Sequence, residues 1–357
     1  MRLLLLDSKN YYGKYLIERI EKNCSLDVIT EQNNNVRYEN CKIILGSRRS
    51  LEVWKKTADY YDVIIDADSM VVEDVETVLN EIKCDKYILI STVQVYRYLP
   101  HKVHQEEDID EYYINIINDE YVDCSTDIDK FYVREKINIE CKTEALCKKK
   151  GINYFILRMA KCYRNSDIYK DIDWIIGCLI DYNCIFLHEA NVMDIGCFNP
   201  IYEKDMCDIL EKVVYDDVNR NMIINVAQDE TVSMISLSQY VAQILYGVMK
   251  FKVVFIPEND LCHSREIKVP CNTELIVDNH KLKEVYNVSF LKTEIWIKLI
   301  CESILKRGKC KKISSQERKA KSLYLNYCEK AKKFFASDNS VRNNQQEKVI
   351  NINEIYK

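Results

Sequence analysis

Phe131-Tyr132-Val133-Arg134-Glu135-Lys136 opens a stretch that reads as a helix to about residue 149, and the fold is read outward from it. Residues four apart share a helix face, so Tyr132 and Lys136 are predicted to lie side by side. A phenol beside an ammonium has a lowered pKa, which suits it to proton transfer. The spacing alone carries no information: the chain holds 25 tyrosines, and Tyr-x-x-x-Lys also starts at Tyr38, Tyr98 and Tyr246. Surroundings separate Tyr132 from the other three. An apolar run, Tyr87-Ile88-Leu89-Ile90, ends in Ser91-Thr92 before it, and a second, Tyr154-Phe155-Ile156-Leu157, follows the helix.

Around that stretch, roughly the first 160 residues alternate short apolar runs with helical patterns, the signature of βαβ units on a parallel sheet. Residues 2–6, 26–30, 42–45, 62–67, 86–91 and 153–158 read as strands. Residues 13–22, 51–60 and 72–82 read as helices, with Leu51, Trp54 and Ala58 on one face of the second. Residues 98–129, dense in Asp, Glu and Tyr, read as a long polar loop, a length that marks a functional or disordered segment. Beyond Tyr163 the alternation becomes irregular. Helical patterns at 172–182, 203–215 and 236–246 separate short strands such as 222–226 and 252–256, and a helix near 292–305 ends the series. From Lys306 the chain turns basic, with a helical pattern over 316–335. The expected organisation is a nucleotide-binding domain at 1–165, a smaller substrate domain at 166–305 interleaved with it, and a basic tail, helical or disordered, at 306–357.

Bulk properties narrow the function. A hydrophobic fraction of 47% and a charged fraction of 30% are those of a soluble globular chain. No apolar run approaches the length of a membrane span, and Asp7 interrupts the apolar start, so no membrane partner is expected and the cytoplasm is the expected location. A net charge of −5 argues against nucleic acid as the main partner. The basic runs at 306–312 and 330–333 have no aromatic platforms among them and read as solvated helix faces. Sixteen cysteines are scattered singly with no Cys-x-x-Cys pair, and there are five His, so reduced thiols and no metal site are expected.

The turn after the first strand reads Asp7-Ser8-Lys9-Asn10-Tyr11-Tyr12-Gly13. In a parallel-sheet nucleotide-binding domain this turn is glycine-rich, so that a pyrophosphate can approach backbone and helix N-terminus. Here Gly13 holds the last glycine position, and Asn10 stands at another, where a positive φ is tolerated better by Asn than by most residues. Asp7 puts a carboxylate close to where phosphate would sit. Two readings stay open at this turn: a dinucleotide site, or a βα connection without ligand. Glu31, ending the second strand, is placed to accept from a ribose hydroxyl. Thr92 reads either as a substrate contact or as a hydroxyl capping a turn.

The ordered series of segments resembles the extended short-chain dehydrogenase/reductase family, the NAD-dependent epimerases and dehydratases, which act mostly on nucleotide sugars. The matching pieces are Leu3–Gly13, Gly46-Ser47-Arg48-Arg49, Asp62–Ala67, Ile90-Ser91-Thr92-Val93-Gln94-Val95-Tyr96, and Tyr132-x-x-x-Lys136 with Glu140. They continue through Leu157-Arg158, Tyr163, Phe198–Asp205, Asn225-Val226 and Asp278-x-x-Lys281. The resemblance implies a Rossmann-like doubly wound α/β fold binding NAD or NADP, with Asn10, Gly13, Glu31, Asp66, Ala67 and Lys136 at the cofactor. It implies Tyr132 as acid/base, Lys136 holding the nicotinamide ribose, and Thr92 bonding the substrate oxygen during hydride transfer on a nucleotide sugar. Members of that family often pair through a two-helix contact, so a homodimer is a further expectation. The chain departs from the pattern at the glycine turn, at Ser47 and at Arg164. The alternative is therefore a catalytically degenerate relative that binds a nucleotide for regulation or scaffolding.

Overall fold

Four consecutive leucines, Leu3 to Leu6, lie inside the sheet, on a strand paired along both edges, in the computed structural model of the chain. Leu3 and Leu5 enter the core on one face of the sheet, Leu4 and Leu6 the core on the other. A strand covered on both faces has no need of polar alternation, which is why these runs are continuously apolar. Each leucine removed from water contributes on the order of 2 kcal/mol. The structure describes residues 1–6, 13–31, 39–100, 103–118, 128–165, 171–182, 184–188, 196–218, 220–249, 251–256 and 274–306.

The chain divides into two units. The first holds residues 1–162, 199–231 and 275–291. Its strands are β1 (Arg2–Leu6), β2 (Ser25–Thr30), β3 (Cys41–Leu45), β4 (Tyr60–Asp66), β5 (Lys83–Thr92), β6 (Asn153–Met159) and β7 (Met222–Val226). Its helices are α1 (Gly13–Ile20), α2 (Leu51–Trp54), α3 (Val72–Glu81), α4 (Glu111–Asn118), α5 (Ile128–Lys150), α6 (Glu203–Val214) and α7 (His280–Tyr286). All seven strands run parallel, in the order β7-β6-β5-β4-β1-β2-β3. The expected Rossmann-like doubly wound fold is present. The order reverses between β1 and β4, and a crevice at the carboxyl ends of the strands beside such a reversal is where open α/β sheets bind ligands.

Two stretches differ from their sequence reading. Residues 98–129 contain α4, which a run of acids and tyrosines conceals, because Tyr113 and Ile117 alone, four apart, carry its burial. Residues 51–60 keep one helical turn. The Trp54 indole donates to the Arg48 carbonyl (2.8 Å) and the Ala58 amide to the Tyr61 hydroxyl (3.1 Å), and β4 begins at Tyr60.

Helix α6 is joined to the sheet by a buried cation. Lys86 Nζ donates to the carbonyls of Val213, Val214 and Asp216 (3.0, 3.0 and 2.5 Å). These acceptors lie at and just past the C-terminus of the helix, where carbonyls are left over and positive charge is favourable. Burial lowers the Lys86 pKa, against the opposing pull of Asp216 and Asp217.

The second unit comprises residues 163–198, 232–274 and 292–357. Helices Asp171–Tyr182, Met234–Tyr246 and Thr293–Lys306 pack together beside two parallel strands, Cys184–His188 and Lys252–Ile256. Trp296, fully buried, stacks on Tyr163 at 5.2 Å, and the Tyr163 hydroxyl bonds Asp171 at 2.9 Å. Ser233 and Ser236 form a reciprocal cap at the start of the middle helix, and Gly247 ends it at φ +70°. Among the described residues no helix is long and apolar enough to cross a membrane. The tail pattern at 316–335 lies outside the described residues.

Candidate active site

The carboxyl ends of β1, β4, β5 and β6 line up in register, Leu6 beside Asp66 and Thr92 beside Met159. Helix α5 runs from this edge. Val133 and Ile137 bury into the core on one side of the sheet, Ile139 and Cys147 into the core on the other. Tyr132 packs half-buried against the first of these cores. Lys136, one turn on, is 6% exposed, and its ammonium lies 5.8 Å from the centre of the Tyr132 ring. The structure therefore brings the predicted pair together.

Lys136 Nζ donates to the Ser69 carbonyl at 2.7 Å, and among the described residues that is its one hydrogen-bond acceptor. An ammonium has three donors. Burial pushes the Lys136 pKa down, and Arg48 adds to this, while Asp66, Glu140 and Asp68 pull it back up. Ser69, the residue that meets Lys136, carried no signal in the sequence, since a backbone carbonyl is available at every position.

Thr92 ends β5 half-buried, and its hydroxyl accepts from the Gln94 amide at 3.2 Å, opening the short 3-10 turn Val93–Tyr96. Val93, Val95 and Tyr96 bury in the core, and the turn packs against α5.

Asp66 is fully buried at the end of β4, and the protein itself occupies its carboxylate. Arg48 approaches in parallel at 2.7 and 2.6 Å, the Ser69 hydroxyl donates at 2.7 Å, and the Tyr87 hydroxyl closes the set. Burial alone would raise the Asp66 carboxyl; Arg48, with Tyr87 and Ser69, holds it below the usual range. Arg48 also reaches Asp68 (2.8 Å), and Arg49 pairs with Asp74 (2.9 Å). Asp74 accepts from the amides of Met70 and Val71, so the loop after β4 is stitched by its own acids. The Ala67 amide donates to the Leu6 carbonyl at 3.0 Å, fastening this loop to β1.

Gly46 places Arg48. It sits at φ +142°, and a Cβ there would stand 2.5 Å from the Val53 side chain. Only glycine fits a backbone bent this way against a packed neighbour.

Behind Thr92 and Lys136 lies a second polar set. Arg158 grips Glu140 (2.8 and 3.1 Å) and donates to the Tyr96 hydroxyl (2.7 Å) and the Glu106 carbonyl (2.8 Å). Glu140 accepts from the Ser91 hydroxyl, and Tyr96 donates to Asn225 at 2.8 Å. The set ties β5, α5, β6 and β7 into one block. Of the other predicted positions, Glu31 stands exposed just past β2 and Gly13 opens α1, while Asn10 lies outside the described residues.

No protein-family model matches the chain, and no curated protein sequence does. Solved structures resemble it at the level of the fold. UDP-glucuronic acid 4-epimerase from Bacillus cereus, crystallised with UDP-glucuronic acid and NAD, superposes with a TM-score of 0.67 at 15% identity, over 86% of this chain and all (100%) of that one. The dTDP-glucose 4,6-dehydratase from Bacillus anthracis, in complex with NAD, gives 0.65 at 13% identity over 87% and 98%. UDP-N-acetylglucosamine 4-epimerase from Bacillus cereus gives 0.62 at 14% identity over 86% and 100%. The chain thus has the fold of these structures over 86–87% of its length.

Proposed function

We propose that the protein is a nucleotide-sugar epimerase, dehydratase or reductase that binds NAD and uses Tyr132 as its acid/base. The observation that carries this reading is the Tyr132–Lys136 pair: a buried ammonium with one protein acceptor, beside a half-buried phenol, on the helix packed against the Thr92 turn. The donor set fits a nicotinamide ribose, because the N–H groups of Lys136 left over from Ser69 suit two ribose hydroxyls. Glu31 fits the hydroxyls of the adenosine ribose, and its negative charge disfavours the 2′-phosphate of NADP. The Asp66 carboxylate takes no part in binding, being engaged by Arg48.

In this mechanism Tyr132 takes the proton of a sugar hydroxyl as its acid/base. A nicotinamide held by Lys136 would supply the acceptor for the hydride of the carbon bearing that hydroxyl. Lys136 keeps a positive charge beside the phenolate and stabilises it, while the Thr92 hydroxyl holds the reacting oxygen.

Calorimetric titration of the nucleotide-stripped protein with NAD and with NADP tests the reading. NAD is expected to bind in the micromolar range and NADP at least about tenfold more weakly; no binding of either would leave a degenerate relative as the surviving account. Tyr132→Phe is expected to cut turnover by about 10²–10⁴-fold while NAD affinity stays within about twofold. Unchanged turnover would remove Tyr132 from the chemistry.

A further inference from the structure

β3 is the outermost strand on its side of the sheet, and only β2 pairs with it. The Leu26 amide donates to the Asn40 carbonyl and the Gly46 amide to the Thr30 carbonyl, both at 3.0 Å, with Val28 in register with Ile43 between them. Backbone groups alternate sides along a strand, so Lys42 and Ile44 bond to β2 while Cys41, Ile43 and Leu45 turn their N–H and C=O outward. Among the described residues nothing meets those outward groups. The side chains of the same three residues share one face of the sheet, where Ile43 is 37% and Leu45 45% exposed. Native edge strands are usually blunted by a proline, a bulge or a projecting lysine. β3 has no proline, its register with β2 is unbroken, and its one charge is turned away: Lys42 Nζ donates to the Lys56 carbonyl at 2.5 Å.

We propose that the free edge of β3 is an interface between two copies of this chain, paired antiparallel about Ile43. In that arrangement the edge is its own complement. Ile43 falls opposite the partner's Ile43, Cys41 opposite the partner's Leu45 and Lys42 opposite the partner's Ile44, so apolar side chains meet and no like charges are directly opposed. Each outward residue exchanges both of its backbone hydrogen bonds with the residue it faces. A two-fold contact uses the same patch on both copies and closes at a dimer. It joins two seven-stranded sheets edge to edge. Because the strands of the two copies run oppositely, the carboxyl edges of the sheets point in opposite directions and both candidate sites stay open. A five-residue strand is small against the roughly 1,200 Å² that stable interfaces bury, so the expected Kd is about 10–100 μM.

Sedimentation equilibrium of the full chain, up to several times the expected Kd, tests the interface with Ile43→Pro and Ile43→Lys beside wild type. Proline removes an N–H that β2 does not use, and lysine puts a charge on the two-fold axis while keeping the backbone intact. Wild type is expected to approach twice the monomer mass, and both variants to associate at least about tenfold more weakly while melting, when dilute, within about 2–4 °C of wild type. A wild type that stays monomeric throughout would overturn the proposal and leave an extended segment of another protein as the occupant of the edge. A dimer that both variants leave intact would overturn it too, placing the contact elsewhere, as on a pair of helices. Dissociation by lysine but not by a folded proline variant would mean that side chains meet without backbone pairing, and the proposed edge contact would fall. If proline lowers the melting temperature further, Ile43→Lys decides alone.

Discussion

Asp66 is the residue that ties together the carboxyl edge of the sheet at the end of β4. With no exposed surface it needs complete compensation, and it receives two N–H groups from Arg48 and hydroxyls from Ser69 and Tyr87. Replacing it by Asn leaves the Arg48 guanidinium buried with a weaker partner, so Asp66→Asn is expected to cost about 3–5 kcal/mol at neutral pH in urea unfolding. The pH dependence follows from the depressed carboxyl. The folded value lies below the unfolded 3.8, so the stabilisation is present above 3.8 and is lost as pH falls through the folded value. The gap between wild type and variant is therefore expected to shrink below about pH 4; a gap that stayed constant would mean the carboxylate is not the group involved. The closeness of Lys136 to Tyr132 follows from helical spacing and was legible in the sequence, whereas singling out this pair among four Tyr-x-x-x-Lys matches rested on its frame and on resemblance. The engagement of Asp66 by Arg48 joins residues 18 apart on different strand ends, and nothing local in the sequence announces it.

At the scale of elements, the alternation of apolar runs with 3.6-residue patterns gave the parallel sheet, since continuous burial leaves a strong signature. Where burial rests on few residues, the signature fades. Helix α4 shows this: Tyr112 is 75% exposed while Ile117, on the other side, is 4% exposed. Ile117→Ala is expected to cost about 2–5 kcal/mol by leaving a cavity, whereas Tyr112→Ala should stay within about 0.5 kcal/mol. Chemical denaturation of the two variants checks this; equal costs would place the helix in a different rotation. The residue 51–60 stretch failed for the opposite reason. Its helical pattern is real, but hydrogen bonds from Trp54 and to Tyr61 hold the chain out of helix after one turn.

For the whole molecule, the defining feature is how the chain returns. Residues 199–231 and 275–291 come back to the first unit, where β7 extends the sheet beside β6 and Ile276-Val277 pairs with Val103-His104. A five-residue strand does not name its partner, so composition could not place these returns. The two units instead share a chain that crosses between them five times, and an amputation tests where the folded body ends. Residues 307–357 carry 13 Lys and Arg against five Asp and Glu, a net +8, which leaves −13 on the remainder. The last described helix, Thr293–Lys306, already anchors itself through Trp296, Ile297, Ile300 and Cys301, all fully buried, within the second unit. Ending the chain at Lys306 removes none of these side chains. The truncated protein is expected to melt within about 2–4 °C of the full chain, the shift that about 1 kcal/mol produces at this size, and to bind more tightly to an anion exchanger. A drop well beyond that range would mean the basic tail supplies part of the second unit's core.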